Sequence, residues 1–345
     1  MASAAGEDAR RAGIREVAAV AGVSMSTVSN VLNRPETVAP ATRHRVVAAM
    51  DRVGYVRNSA ARQLRGAPSK VVGCLFLDSA NAYYAALARG VEDRLGEAGC
   101  VLVQCSTDVR PEREVRCLRL LEEQNVRGLL VSPVSALLGH LVQLSRRGTP
   151  VVLLDRPRGG ANLCAATVDN VAGGELAARH LVELGHRRLA FVRVGSTVRS
   201  IDDRVAGIKR ALRAAGLDPR ESLTEIPVAP AAPDTVAARS AEALLGLAPR
   251  PTGVICCNDA TALAVLRGAR ARGLSVPEDF SLVGYDDVDF AAALSPALTT
   301  VRQPTYRLGH AAADLLLSED HPDHEHRELV FRPQLVVRES TRATP

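Results

Sequence analysis

At 345 residues the chain is long enough for a large core and more than one domain, and a hydrophobic share of 47% describes a globular protein and excludes a disordered or fibrous one. The opening MASAAGEDARRAG has no apolar core of a secretory signal, and no run approaches the roughly 18 apolar residues that span a bilayer, so no membrane partner and a cytoplasmic location are expected. The net charge of +5 lies wholly in the first fifth: residues 1–68 hold ten arginines against five acidic residues, whereas the 33 basic and 33 acidic residues beyond them cancel, an asymmetry that favours a phosphate backbone as partner.

Residues 1–13 are small and charged without periodicity and read as a disordered tail. In IREVAAVAGVSMSTVSNVLN, Ile14, Val17, Ala18 and Ala21 recur at i, i+3, i+4 and i+7 and draw one apolar stripe on a helix. Gly22 permits the turn that follows, and Ser24 stands where a helix N-cap belongs. The next helix buries Val28, Val31 and Leu32 and turns outward Met25, Ser26, Ser29, Asn30 and Asn33. That outer face carries no charge; short hydrogen-bonding side chains suit base edges in a DNA major groove better than an ordinary solvated surface. A third helix over Pro40 to Val53, stopped by Gly54, completes a helix-turn-helix headpiece over 14–57. Residues 58–69 form a hinge and linker, in which Asn58 can cap a short helix ended by Gly66 and Pro68. Such a helix is too short to be stable alone in water and is expected to form only on DNA.

From Val71 short apolar runs alternate with amphipathic stretches: VVGCLFL, CVLVQCS, GLLVSP and PVVLLD, then RLAFVRV, IPVA, TGVICCN and SLVGYD, with helical spacings between them. This is the pattern of parallel sheets covered on both faces, given twice. TTVRQP and ELVFRPQLVVRES read as extended segments that cross back between two lobes, one of about 70–167 with 298–322 and one of about 168–297 with 323–341. The seven cysteines show no C-x-x-C spacing and are expected to be reduced core thiols. HPDHEHRE, with His321, His324 and His326, reads as a solvated loop; no metal and no cofactor are expected.

In open α/β sheets ligands bind beyond the carboxyl ends of the strands. Those ends carry Asp78 with Asn81, Ser106 with Thr107, Ser132, Asp155, Asn258 with Asp259, and Tyr285 with Asp286. Such donors and acceptors suit the hydroxyls of a sugar or of a nucleoside's ribose, and Tyr83 and Tyr84 offer aromatic faces.

VAAVAGVSMSTVSNVLN, GYVRNSAARQL and the order of the remaining chain resemble the lactose-repressor (LacI/GalR) family of bacterial transcription regulators, over nearly everything from Ile14 to Thr341. The resemblance implies an all-α helix-turn-helix headpiece plus an α/β two-lobed periplasmic-binding-protein-like effector domain over 70–341, acting as a repressor whose affinity for a near-palindromic double-stranded DNA operator is set by a small molecule between the lobes. It puts Met25, Ser26 and Asn30 at base-reading positions with Thr27 and Ser29 nearer the phosphates. It also implies that Leu64 wedges into the minor groove. SANAYY, LLDRP, SIDDRVAGIKRAL, CCNDATAL and GYDDVDF then point to Tyr83, Tyr84, Asp155, Arg204, Asn258 and Asp286 as effector contacts. Arg57 departs from the proline usual in the family, which either loosens the hinge or adds a phosphate contact. No leucine-heptad tail follows the last strand, so a homodimer is expected. An enzyme on the same scaffold is disfavoured because no G-x-G-x-x-G or G-x-x-x-x-G-K-[ST] motif is present, and a transport solute-binding protein has no use for the headpiece.

Overall fold

The computed structural model describes residues 12–57, 68–134, 138–195, 198–321 and 323–344. It divides into two compact units, Met1–Pro68 and Ser69–Pro345. The hinge helix and Leu64 lie outside the described residues, as does the N-terminal tail up to Arg11.

The smaller unit holds α1 (Ile14–Ala21), α2 (Met25–Asn33) and α3 (Pro40–Val53). Val17, Ala18, Ala21, Val28, Val31, Val46 and Ala49 form its core, with Leu32 only half-buried at its margin. Two helix ends close in the same way. At Gly22 (φ +65°) the next amide, Val23 N–H, donates to Ala18 O at 3.0 Å, and at Gly54 (φ +62°) Tyr55 N–H donates to Met50 O at 2.9 Å. Both are left-handed closures that satisfy otherwise orphaned carbonyls.

The larger unit contains two six-stranded sheets. The first is built from β1 (Val71–Phe76), β2 (Val101–Ser106), β3 (Gly128–Val131), β4 (Val151–Leu154) and β5 (Cys164–Val168), with α4 (Ala82–Glu97), α5 (Pro111–Glu123) and α6 (Gly139–Arg146) between strands. The second uses β6 (Leu189–Val194), β7 (Leu223–Val228), β8 (Gly253–Cys256), β9 (Ser281–Asp286) and β10 (Thr299–Arg302). Its helices are α7 (Asn170–Glu183), α8 (Arg199–Ala214), the single turn α9 (Pro219–Ser222), α10 (Pro233–Leu245) and α11 (Asp259–Arg270). The first five strands of each sheet have the order 2-1-3-4-5, so β4 and β9 are equivalent, as are β1 and β6. β3 and β4 are buried at every position, as sheets covered on both faces require.

The return from the second lobe differs from the expected boundaries. Residues 299–302 belong to the second sheet, where they run parallel to β9 with Arg302 opposite Asp286. The chain then crosses to the first lobe as α12 (Thr305–Ser318) and β11 (Glu328–Phe331), which pairs with β5. Only after Phe331 does it cross again, to β12 (Gln334–Val336), antiparallel to β10. Backbone pairing decides the matter: a strand that matches its neighbour's register satisfies its own amides, whatever its place in the sequence.

α7 and α8 approach so closely that a Cβ on Gly174 would collide with the backbone carbonyl of Arg204, and one on Gly207 with that of Val171. Gly174→Ala is therefore expected to cost about 1–3 kcal/mol or more, since neither backbone can yield. Gly96, exposed in α4 with nothing near its Cβ position, is the control: Gly96→Ala should gain up to about 1 kcal/mol from helix propensity. Urea denaturation of the two variants checks both signs.

Candidate functional site

In the smaller unit, Ser24 caps α2 by accepting from Thr27 N–H at 3.1 Å, and its hydroxyl also lies 2.7 Å from Ser26 Oγ and 2.8 Å from Thr27 Oγ1. Met25 is 50% exposed, Ser26 and Asn30 are exposed, and Thr27 and Ser29 are half-buried. The outer face of α2 thus offers a thioether, a hydroxyl and an amide to a groove, with no charged side chain along Met25–Asn33. Arg57 has a use not foreseen from the sequence. Its Nη2 donates to Leu32 O at 2.6 Å and Asn33 Oδ1 at 2.7 Å, so it closes the C-terminal end of α2.

In the larger unit a cavity of about 530 Å³ lies at the strand ends of both lobes. Tyr83, Tyr84 and Asp155 reach it from the first lobe and Arg204, Asn258 and Asp286 from the second, so the six predicted residues share one space. Its position follows from topology. Order 2-1-3-4-5 reverses direction beside the first strand, and the segments after β1 (Asp78, Asn81) and after β8 (Cys257, Asn258) line the cavity at these two crevices.

Each side chain is held by the elements beneath it. Asn81 caps α4 by accepting from Tyr83 N–H at 3.0 Å, and Asn258 caps α11 by accepting from Thr261 N–H at 2.8 Å; both nevertheless face the cavity. Tyr84 stands between Phe76 and Tyr83, with ring centroids 5.0 Å away on each side. Asp155 and Asp286 close the equivalent strands β4 and β9, and both have positive φ, +51° and +115°. Such backbone in residues other than glycine is costly and gathers where a side chain must be aimed.

Arg204 is the centre of the site. It is 6% exposed, donates from Nε to Asn170 Oδ1 at 2.9 Å and from Nη1 to Cys257 O, and lies 3.6 Å above the centroid of the Tyr285 ring. Burial opposes its charge, but Tyr285, Asp286 and Asp155 outweigh that and keep it above the ordinary arginine range. Burial raises Asp155 against the pull of Arg204, and pushes Asp286 up to about 8 despite the same neighbour. Asp286 Oδ1 accepts from Gln303 Nε2 at 2.7 Å. Burial likewise lifts Tyr83 and Tyr84 well above the ordinary tyrosine range, so both hydroxyls stay neutral. Two buried polar atoms of cavity-lining residues, Tyr83 Oη and Gln303 Oε1, have no hydrogen-bond partner among the described residues. The cavity therefore combines the buried guanidinium of Arg204, carboxyls at Asp155 and Asp286 whose ionisation burial opposes, further polar groups and aromatic surface, which suits a hydroxyl-rich small molecule.

Sequence reasoning missed Asn170, which links Arg204 to Asp155 through its amide (Nδ2 to Asp155 Oδ1, 3.2 Å), and Gln303. Both follow strand ends, of β5 and β10. The strand-end rule that found Asp155, Asn258 and Asp286 would have found these had CAATV been read as a strand and TTVR placed in the second lobe.

Residues 13–58 match the family model of bacterial regulatory proteins, lacI family, and residues 178–341 that of a periplasmic binding protein-like domain. Over 338 residues the chain is 34% identical to the HTH-type transcriptional repressor PurR of Aliivibrio salmonicida, covering 95% of this chain and 98% of that one. Among solved structures it is similar to a LacI family transcriptional regulator from Enterococcus faecium with bound ribose (TM-score 0.72, 30% identity, 80% of this chain and 100% of that one). It is also similar to the lac repressor dimer bound to operator and the anti-inducer ONPF (TM-score 0.79, 26% identity, 97% of this chain and 100% of that one).

The ionisation of Asp286 gives a test of the site's electrostatics. The unfolded chain releases this proton near the ordinary aspartate value, whereas the folded protein holds it to about pH 8. Its contribution is fully present below the unfolded value and is lost as pH rises towards 8. Asp286→Asn keeps the group neutral throughout, so wild type should lose stability relative to the variant between pH 5 and pH 8. Denaturant melts whose difference stays constant over that range would contradict the assignment.

Proposed function

The chain belongs to the lacI family of bacterial regulatory proteins, and on that premise we propose that it represses transcription by binding a near-palindromic operator as a homodimer, with operator affinity set by a sugar or nucleoside held between its lobes. The observation that carries the ligand reading is the cavity: residues from both lobes converge on it, and its buried Tyr83 and Gln303 atoms lack partners that a polyol's hydroxyls would supply. The bound ribose of the Enterococcus faecium regulator supports a sugar of this size. Among the described residues no helix is long and apolar enough to cross a membrane; the cytoplasmic location we propose rests on the likeness to DNA-binding repressors. We read the protein as non-catalytic: Arg204, Asp155 and Asp286 are committed to one another and to the fold, an arrangement for holding a ligand.

A ligand that touches both lobes favours one angle between them, and three crossings, after Val168, Arg302 and Phe331, allow that angle to change. In a dimer the angle alters the spacing of two headpieces relative to two half-sites. Exposed apolar side chains on the edge strand β2 (Val101 58%, Val103 42%) and on α5 (Val115 60%) are our candidates for part of the dimer contact. On the headpiece Met25, Ser26 and Asn30 are proposed to read bases, with Thr27, Ser29 and the remaining donors of Arg57 nearer the phosphates.

Two variants test the two ends. On an operator selected from random DNA, Asn30→Ala should weaken binding by roughly 1–3 kcal/mol and relax preference at one position per half-site, with little change on non-specific DNA. Equal losses on both would remove Asn30 from base reading. For the cleft Arg204→Ala is a poor probe, because it would strand Asn170 and Cys257 O. Tyr83→Phe removes only an unpartnered hydroxyl and should leave stability unchanged or slightly raised. A thermal-shift panel of sugars and nucleosides identifies the ligand, since one present at 100 times its Kd adds about 2.7 kcal/mol. Its affinity for Tyr83→Phe should fall by about 0.5–1.5 kcal/mol in calorimetry. Unchanged affinity would place Tyr83 outside the ligand's reach.

A further inference from the structure

The histidine-rich segment is not the solvated loop its sequence suggests. Between α12 and β11 the chain folds back so that Glu319, His324 and His326 meet Cys164, the first residue of β5. Cys164 is fully buried, and the side chains of Glu319, His324 and His326 are 8%, 10% and 18% exposed. His321, in the same segment, stays at the surface.

The distances within this cluster are those of metal ligands. Cys164 Sγ lies 3.3 Å from His324 Nε2 and 3.7 Å from His326 Nδ1. Glu319 Oε1 lies 3.3 Å from each of the same two nitrogens, and all four atoms fall within 4.8 Å of one another. Ligands at the usual zinc distances, placed at the corners of a tetrahedron, are separated by about 3.3–3.8 Å. Glu319 Oε1 is buried and, although close to both rings, makes a hydrogen bond with neither. Cys164 Sγ is within hydrogen-bond reach of both rings, so the thiol, the two ring nitrogens and the unpartnered carboxylate oxygen face a common centre.

The surroundings agree. Ser318 Oγ lies 3.3 Å from His324 Nδ1, so a proton on Nδ1 donated to that hydroxyl leaves the lone pair of Nε2 directed into the cluster, the tautomer a metal ligand needs. The loop itself is anchored, since Arg158 Nη1 donates to His326 O at 2.8 Å and Arg158 N–H donates to Glu328 Oε2 at 3.0 Å. One thiolate and one carboxylate would also balance the charge of a divalent ion, as a buried site requires.

We propose that Cys164, Glu319, His324 and His326 form a structural zinc site that clips the segment after α12 to the edge of the first sheet. A sulfur, two imidazoles and a carboxylate form a tetrahedral set suited to zinc, and four protein ligands leave no open position for catalysis. On binding, the thiol proton passes to solvent and the thiolate coordinates. The clip joins the first residue of β5 to the segment leading into its partner β11, and so fixes the crossing that continues to β12. It lies apart from the ligand cleft, and none of its residues lines that cavity.

Full-length protein stripped with a chelator and titrated with Co²⁺ should take up one ion per chain, with the intense visible bands of tetrahedral cobalt and a thiolate charge-transfer band in the near ultraviolet. Zn²⁺ should displace the cobalt and raise the melting temperature. Cys164→Ser should lose the charge-transfer band, and His324→Ala/His326→Ala should lose stoichiometric uptake, while His321→Ala keeps both. Sub-stoichiometric uptake by the wild type, a pale octahedral cobalt spectrum, or a melting temperature unmoved by zinc would overturn the proposal without recourse to any variant.

Discussion

A guanidinium carried into an apolar interior must be hydrogen-bonded and electrostatically balanced, or it will not stay charged and buried. Arg204 meets that demand through interactions drawn from four places in the chain: hydrogen bonds to Asn170 at the start of α7 and to the carbonyl of Cys257 after β8, the ring of Tyr285 with the nearby charge of Asp286 in β9, and the nearby charge of Asp155 at the end of β4. The glycine contact between α7 and α8 is what allows Arg204 to sit beside Asn170 at all. Asp155 belongs to the first lobe and the others to the second or to the crossing between them. The buried cation therefore holds the floor of the cleft together and gives any bound ligand a fixed reference from both sides.

The duplicated topology deepens this. Because β4 and β9 are equivalent strands, Asp155 and Asp286 face the cleft from corresponding positions in two similar halves, each on strained backbone. Two acceptors so related can grip a small polyol from opposite sides. The three crossings beside them are the places where one half can move against the other.

Much of this was legible in the sequence where one physical signal dominated. The 3.6-residue stripe of Ile14, Val17, Ala18 and Ala21, broken by Gly22 and restarted at Ser24, specifies two helices and their turn. The rule that ligands gather beyond strand ends led to Asp155, Asn258 and Asp286, with Tyr83 and Tyr84 beside Asn81, whereas Arg204, inside α8, was indicated only by the family resemblance of SIDDRVAGIKRAL. Legibility failed where the signal was non-local. CAATV is short and built mostly from Cys and Ala, which carry little strand preference, and only pairing with β4 and β11 makes it a strand; TTVR joins the second sheet through its register with β9. Asn170 and Gln303 were lost with them. Arg57, singled out because it departs from the family's proline, also closes the end of α2, through contacts 25 and 24 positions apart in the chain that no local signal announces. The histidine segment looks solvated because its fourth partner, Cys164, comes from a distant strand that brings no metal-binding spacing with it.

Coupling between cleft and headpiece is the central claim, and linkage makes it testable without knowing which way the ligand acts. Operator affinity is measured with and without saturating ligand, and ligand affinity with and without saturating operator, on the same wild-type preparation at one salt concentration. The two ratios must be equal and differ from one, typically by a factor of about 5–150. A ligand that binds the cleft tightly while operator affinity stays the same would contradict control of DNA binding from this site.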